Sequence, residues 1–329
     1  MVQYNASTVF MLAPQRHGSN KTQSMLSSRN PALFGPYPPI PRRAFVQLES
    51  ALGGDLLEAM VDNANLSPRP LVAGSSPLEQ DEVKALMRER NLPEDVLGIS
   101  IALTLLAAKK SGQDDAMVLC KSPDNLDIAE RHLDALNHAA FVHVIRDPRA
   151  VWNSGRGTPR GAQTPHAAAL AWADYHSRVL TLAESTPVLT LRYEDLMTHP
   201  EGELRRTCTF LGIPFLPEML DDHGSAAMKQ AADKNPRLWG NLAKPVQLDR
   251  ISAWSRELPS EEIDIIENTC ASLMERFGYE PLFPSRPLTE KDRTMAPDLP
   301  APDVGAEPRQ DQLAHIQALK QGIQSQEAA

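Results

Sequence analysis

The chain has 329 residues, 42% of them hydrophobic and 23% charged, which is enough for one large α/β domain or two small ones. A net charge of -9 argues against nucleic acid as the main partner. The three cysteines are far apart and show no CxxC or His-rich spacing, which favours a reduced protein without a structural metal site.

The sequence contains no run of about 18 apolar residues, so it predicts no membrane span. Its amino terminus lacks the basic start and long apolar core of a secretory signal. We therefore expect a soluble cytoplasmic protein.

The first informative stretch is an apolar run at 9–13, followed by a polar turn and then by helical spacing. This order predicts a strand, a turn and a helix, and the free N–H groups and positive dipole of a helix start suit an anion. Gly18 allows close approach of the backbone, and Arg16, Ser19 and Asn20 supply donors. The turn is not a GxxxxGK[ST] nucleotide loop, because its only Lys-Thr pair comes two positions late. The simpler alternative is an ordinary buried strand-to-helix turn.

Two contrasting segments follow. Residues 28–43 hold five prolines and a glycine, so we expect no regular element there. This loop either shapes a substrate mouth or is a plain surface connection. In residues 44–110, apolar side chains recur at helical spacing between Pro, Asn and Gly, which predicts a helical insertion between the first two strands.

Three further strands are predicted at 116–120, 139–145 and 188–192. The first ends at Lys121 and the second at Arg146, after which Asp147 and Pro148 are suited to begin a helix. Alternating strands and helices predict a parallel sheet with helices on both faces, which binds ligands at the carboxyl ends of its strands. Arg16, Lys121 and Arg146 should meet there and bind a small, highly charged ligand. For any one of them the alternative is a surface ion pair.

Helical patterns also occur later in the chain. Residues 167–183 have Leu170, Tyr175, Val179 and Leu182 as apolar points. A helix at 201–211 should end at Gly212, and Ser260 should cap a helix that extends to Phe277. The polar region 217–249 reads as loop with one short helix.

The composition changes near residue 284 to Pro, Ala, Asp, Glu and Gln, which predicts one domain over 1–283 and a flexible, disordered tail over 284–329. Within the tail, Leu313, Ile316, Leu319 and Ile323 share one helical face. Such a helix has three possible docking sites: a partner, a second copy in a homo-oligomer, or the protein itself. A membrane role is the weakest, since Trp and Phe are absent nearby.

Several motifs resemble those of the PAPS-dependent sulfotransferases, which move a sulfuryl group from 3′-phosphoadenosine-5′-phosphosulfate to an acceptor. Residues 14–20 (PQRHGSN) resemble the PxRSGTT-type loop, 121–125 (KSPDN) the KTPxN element of bacterial-type members, and 141–154 the strand-RDPR-helix motif. Three later segments also resemble motifs of the family. Residues 191–196 resemble its RYEDL motif, residues 210–214 its FLGIP motif, and residues 251–258 together with 277–279 its closing segment. The matches are in order and span roughly residues 8 to 282.

This resemblance implies a P-loop-like three-layer α/β/α fold that transfers sulfate from PAPS to a hydroxyl, less readily an amine, of a small-molecule, lipid or saccharide acceptor. PAP would be the product, and no metal would be needed. The resemblance also implies the residues that hold the donor. The 5′-phosphosulfate would contact Arg16, Gly18, Ser19 and Asn20. The 3′-phosphate would contact Arg146 and Ser154. Tyr193 would lie near the nucleotide, and Arg250 would close over the 3′ side. Arg16 and Lys121 would stabilise the charge that develops on the leaving phosphate.

The general base is the missing part. Many members of the family use a Glu of the Pro-rich loop or a His, but residues 35–39 here read GPYPP. His17 is the first candidate and His223 the second, although either could instead be structural.

Two other functions stay open at this point. One is a small-molecule P-loop kinase, against which the missing Gly-Lys-Thr and the lack of an obvious magnesium-binding carboxylate pair count. The other is a non-catalytic nucleotide-binding protein that acts through its tail.

Overall fold

The structure is a computed structural model that describes residues 7–35, 41–66, 77–136, 138–158, 161–221, 248–297 and 310–327. Five parallel strands form one sheet: Thr8–Leu12 (β1), Leu33–Phe34 (β2), Met117–Lys121 (β3), Ala139–Ile145 (β4) and Val188–Arg192 (β5). Their order is β2-β3-β1-β4-β5, so the predicted parallel sheet is confirmed and β1 is its central strand. After β1 the chain forms β2 and β3 on one side of this strand, and it then crosses over to form β4 and β5 on the other side. This reversal creates a crevice at the carboxyl end of β1.

Strand β2 is a correction to the expectation of no regular element in 28–43. Leu33 pairs with Met117 and Phe34 with Val118 at the edge of the sheet. The two residues lie between Pro31 and Gly35, and this short proline-free run can pair at an edge even though its surroundings cannot. Residues 36–40 of the same loop lie outside the described part of the chain.

Helices cover both faces of the sheet because its strands are apolar on both sides. Phe10, Leu12 and Phe141 pack on one face in a core shared with the helical insertion. Val9 and Met11 pack on the other face. The helices up to β3 are Ser19–Ser27 (α1), Arg42–Val46 (α2), Glu49–Leu52 (α3), Leu56–Asn65 (α4), Gln80–Glu89 (α5) and Val96–Lys110 (α6). The insertion therefore lies between β2 and β3, and the predicted three-layer architecture is confirmed.

The later helices are Asn125–His132 (α7), Pro148–Gly155 (α8), Pro165–Ala183 (α9), Tyr193–Thr198 (α10), Pro200–Leu211 (α11), Trp254–Glu257 (α12), Ser260–Arg276 (α13), Glu290–Thr294 (α14) and Gln310–Glu327 (α15). Short 3-10 turns occur at Gly53–Asp55, Leu133–Ala135, Pro217–Leu220 and Leu248–Arg250. None of the helices in the described ranges has both the length and the apolar character needed to span a bilayer.

The ends and buried faces of the helices follow the sequence signals, except at Ser260 and Leu170. Asp147 caps α8 by accepting a hydrogen bond from the Arg149 amide at 2.8 Å, and Gly212 ends α11 in a left-handed conformation. Ser260 is the first residue of α13 and makes no capping hydrogen bond, because Pro259 occupies the cap position. On α9, Leu170 is 50% exposed, whereas the predicted Val179 and Leu182 are buried together with Trp172 and His176.

Two parts of the segment expected to be disordered are helical. Before α14, Arg286 donates to Asp264 and to Asp292, each at 2.7 Å, which ties this segment to α13. In α15, Ile316 is only 4% exposed and packs in the core of the insertion, with Leu319 and Ile323 beside it. Composition alone misses this, because a few apolar side chains on one helical face can dock even within a polar sequence. Of the three possible docking sites, the structure shows the third, since α15 packs against the protein itself.

We predict that Ile316→Ala lowers the free energy of unfolding by about 2–4 kcal/mol, because it empties a buried site. The control is Gln317→Ala on the exposed side of the same helix, which should leave stability within about 0.5 kcal/mol. Urea unfolding of both variants tests this. Equal midpoints for Ile316→Ala and the wild type would mean that α15 does not pack against the insertion.

Candidate functional site

The turn after β1 has an unusual backbone conformation. Arg16 and Gly18 both have positive φ angles, 71° and 81°, and Gly18 precedes α1 without a side-chain cap. A Cβ atom on Gly18 would lie 2.2 Å from two ring carbons of Tyr193. Gly18 is therefore required both by the left-handed backbone and by the packing of this ring. Ser19 and Asn20, the other predicted donors, are the first two residues of α1.

Two guanidinium groups meet beside this turn. Arg16 donates from Nε to the Ser154 hydroxyl at 3.1 Å, and Arg146 donates from Nη1 to the Arg16 carbonyl at 3.1 Å. The Arg146 guanidinium also lies over the Tyr193 ring, 4.8 Å from its centroid. Burial, and then the positive charge of Arg146, lower the pKa of Arg16 from its ordinary value. Four predicted site residues are thus brought together: Arg16 from the turn after β1, Arg146 directly after β4, Ser154 of α8 and Tyr193 of α10.

Within the described part of the chain, no carboxylate forms an ion pair with Arg16 or Arg146, although the charge of Arg146 acts on the Glu194 carboxyl and partly offsets the rise that burial causes in its pKa. The Nε atom of Arg146 is buried and has no hydrogen-bond partner there. Two adjacent cations and an unsatisfied buried donor are unfavourable unless a negative group is added. A phosphate-like anion would satisfy both, because guanidinium groups form strong charge-assisted hydrogen bonds with it.

Lys121 reaches the same turn from β3. It donates from Nζ to the side-chain oxygen of Asn20, and its backbone lies beside Met11 in the register of β1 and β3. The predicted convergence of three cations at the carboxyl edge of the sheet therefore has a geometric basis.

Arg250 is less directly placed. It pairs with Glu257 at 3.3 Å, and Glu257 also accepts a hydrogen bond from Asn153, the neighbour of Ser154, at 2.7 Å. Arg250 thus lies on the α8 side of the site and contacts a carboxylate in this structure. Its closure over the 3′ side stays a prediction.

His17 is 2% exposed, and both of its ring nitrogens contact other protein atoms. Its Nδ1 lies 2.9 Å from the Gln15 carbonyl oxygen, and its Nε2 lies 3.1 Å from Nε2 of His176. Nδ1 of His176 lies 2.8 Å from Nε2 of His143, and Nδ1 of His143 lies 3.2 Å from the Thr190 hydroxyl oxygen. An acceptor hydroxyl would find neither nitrogen of His17 free, so this arrangement disfavours His17 as the general base. His223, the second candidate, lies outside the described residues.

Burial makes all three histidines weak bases. It lowers the pKa of His17 to about 4 and that of His143 to about 3, and the pKa of His176 also falls well below its ordinary value. The charge of Arg146 and the neighbouring histidines act in the same direction. The rings are therefore neutral near pH 7.

The sequence motifs do not indicate the contacts of His143 and His176 or the role of Arg149. Arg149 donates to Asp147 and, at 2.5 Å, to Glu267 of α13, and its guanidinium stacks on Trp254. Arg149 therefore binds α12 and α13 and is not available to a ligand. His176 follows Trp172 by four residues on the buried face of α9, a pattern that indicates burial but not its partners.

Glu194 links three of the motifs. Its carboxylate accepts hydrogen bonds from the Asp147 amide and from the Tyr279 hydroxyl, both at 3.0 Å. Burial raises the pKa of Glu194. Among the described residues there is no group of three or more His, Cys, Asp or Glu that could hold a metal ion.

We predict that Gly18→Ala destabilises the protein by more than the about 1–2 kcal/mol expected of a left-handed alanine, because the new methyl group must also displace Tyr193. Gly112→Ala is the matched control, since Gly112 has a φ of 75° but nothing within 4 Å of its Cβ position. Urea unfolding gives both values. Equal losses would show that the Tyr193 ring does not rest on the loop.

We also predict that stability falls on mild acidification. Because burial depresses the folded-state pKa values of the three histidines, the unfolded chain takes up protons first, below about pH 6.5. Stability is therefore complete above that pH and is lost as the pH falls toward about 4, where His17 itself becomes charged. Each histidine contributes up to about 1.4 kcal/mol per pH unit. Urea unfolding between pH 7.5 and 5 tests this, and a flat profile would contradict it.

The chain is similar to known sulfotransferases in sequence and in fold. A model of the sulfotransferase family matches residues 8–218. The chain is 24% identical to protein-tyrosine sulfotransferase A of Caenorhabditis elegans over 70% of this chain and 65% of that protein. It is 26% identical to human carbohydrate sulfotransferase 6, with 49% and 46% covered. It is 30% identical to omega-hydroxy-beta-dihydromenaquinone-9 sulfotransferase Stf3 of Mycobacterium tuberculosis, with 50% and 41% covered.

Two solved structures share the fold. The sulfotransferase domain of the Synechococcus PCC 7002 olefin synthase superposes with a TM-score of 0.58 at 20% identity, covering 85% of this chain and 97% of that one. The sulfotransferase domain of the curacin biosynthetic pathway gives 0.57 at 18% identity, covering 84% and 98%. The chain spans less than two thirds of the length of the three curated relatives named above. Because the family model covers well over half of its residues, the chain belongs to the sulfotransferase family.

Proposed function

We propose that this chain transfers a sulfuryl group from PAPS to a hydroxyl of a small-molecule, lipid or saccharide acceptor and releases PAP. The observation that carries the proposal is the pair Arg16 and Arg146, two adjacent cations without a carboxylate partner in the described ranges. PAPS carries an anionic group at each end of its ribose, and a site with two guanidinium groups is complementary to it.

The donor would contact the residues implied by the family motifs. Gly18, Ser19 and Asn20 would present the free amides at the start of α1 to the 5′-phosphosulfate, together with Arg16. Arg146 and Ser154 would hold the 3′-phosphate, and Arg250 would approach from the α8 side. Tyr193 supports this arrangement because its ring touches both Gly18 and Arg146.

The same residues support in-line transfer. The acceptor oxygen attacks sulfur while the bond from sulfur to the bridging oxygen of the 5′-phosphate breaks, so negative charge builds on that oxygen. Arg16 and Lys121, already fixed by Ser154 and Asn20, would stabilise this charge without further reorganisation. Alignment of acceptor and donor would supply much of the remaining rate enhancement.

The acceptor must still lose a proton. With both nitrogens of His17 engaged, His223 becomes the leading candidate for the base on sequence grounds. The names of the relatives, which specify tyrosine, carbohydrate and an omega-hydroxy menaquinone, all denote molecules with hydroxyl groups, and this supports a hydroxyl acceptor here.

The experiment that tests this function is a screen of phenols, saccharides and lipid alcohols with PAPS. Mass spectrometry should detect the gain of one sulfate on one class of acceptor, together with release of PAP. Binding of PAP without turnover on any class would instead favour the non-catalytic nucleotide-binding alternative. Turnover that requires ATP and magnesium would favour the kinase.

We predict that Arg146→Ala weakens PAP binding by roughly 10- to 150-fold, since a charge-assisted hydrogen bond is worth about 1.5–3 kcal/mol. Arg293→Ala removes the same charge from an exposed pair with Glu290 and should leave the affinity unchanged. Isothermal titration calorimetry measures both. An unaltered dissociation constant for Arg146→Ala would remove Arg146 from the nucleotide site.

A further inference from the structure

Three buried histidines connect the donor-binding turn to the middle of the fold. We call His17, His176 and His143 the histidine relay. It runs from the turn after β1 through α9 to β4 and ends at Thr190 of β5. His143 and His176 are both 0% exposed, so bulk water does not reach their rings.

The contacts of the relay permit only one arrangement of protons. The Gln15 carbonyl can only accept, so Nδ1 of His17 carries a proton and its Nε2 bears the lone pair. Nε2 of His176 must then donate to His17, which leaves Nδ1 of His176 to accept from Nε2 of His143. Nδ1 of His143 finally accepts from the Thr190 hydroxyl. In this arrangement every ring nitrogen is satisfied.

The relay fixes the turn from its inner side. It holds His17, which holds the Gln15 carbonyl, and between them Arg16 adopts its φ of 71°. A non-glycine residue in this conformation needs support from its surroundings. The carbonyl of the same Arg16 accepts from Arg146, and its side chain reaches Ser154. The orientation of Arg16 therefore depends on contacts on both sides of the turn.

We propose that His143 and His176 are positioning residues for the sulfuryl donor, which act through His17 to hold Arg16 in its binding orientation. This inference rests on the proposed function. Aromatic side chains surround the relay, with Trp172 at 4.6 Å, Tyr175 at 5.6 Å and Phe277 at 6.1 Å from the His176 ring, measured between centroids. An apolar side chain could fill this space without the cost of burying imidazoles, so the polar chain is better explained by the turn that it holds.

The test compares three substitutions on α9. His176→Phe keeps a ring of similar size but removes both hydrogen bonds, and it should weaken PAP binding at least tenfold because Arg16 is no longer held. His176→Gln keeps one donor and one acceptor and should recover part of the affinity. Tyr175→Phe removes a hydroxyl that has no hydrogen-bond partner among the described residues, and it should bind PAP like the wild type.

A second measurement uses the unmodified protein. Long-range ¹H–¹⁵N NMR spectra of the wild type with labelled histidine should show that the three rings of the relay are neutral at pH 7. The proton should be on Nδ1 of His17 and on Nε2 of both His176 and His143. This measurement tests the hydrogen-bond pattern of the relay even if His176→Phe does not fold, and the PAP affinity of His176→Gln then tests the positioning role. A charged ring, or the other tautomer at His176, would overturn the relay.

The outcomes separate the two proposals. If the wild type does not bind PAP, the proposed function fails, and the positioning role fails with it. If the wild type binds PAP and His176→Phe binds it equally well, the positioning role alone is overturned and the function stands. Weakened binding in His176→Phe, with partial recovery in His176→Gln and none of the effect in Tyr175→Phe, supports the inference.

Discussion

The hydrogen bond from the Arg146 guanidinium to the Arg16 carbonyl joins the ends of the two strands at the centre of the sheet. The surrounding features depend on this contact. It holds a cation against a second cation, and it supports a left-handed residue that the backbone alone would disfavour. Tyr193 packs beneath both Arg146 and Gly18, so the loop, the strand end and the ring form one unit. An anion that enters this unit meets donors that are already oriented.

Behind this unit, buried polar contacts hold the motifs to each other. Asp147 accepts from Arg149 while its own amide donates to Glu194, and Glu194 in turn accepts from Tyr279, which follows α13. Breaking a buried pair is costly because it leaves an uncompensated charge. Arg149, a basic residue of the RDPR motif, therefore joins α8 to α13.

The sequence was sufficient for the features that local patterns encode. Strands β1, β3, β4 and β5, the cap at Asp147 and the meeting of Arg16 with Arg146 follow from apolar runs, turn residues and the rules of parallel sheets. The histidine relay does not follow from them, because its members are 159 and 33 residues apart along the chain. Periodicity shows that His176 faces inward, but only the fold shows that two other imidazoles meet it. The composition of the segment does not predict the docking of α15 for the same reason, since the residues that it packs against belong to an insertion far away in the sequence.

The central position of β1 also determines the order in which the molecule can assemble. Thr8 pairs with Val118 and Ala139, so the first strand has no neighbour in the middle of the sheet until more than a hundred later residues have been made. Helices α5 and α6 of the insertion pack on each other and are close in sequence, so we expect their contacts to form earlier than the sheet. The turn after β1 therefore precedes both of its sheet neighbours in the chain, and we expect it to reach its final conformation only after the local helix pairs of the insertion have packed.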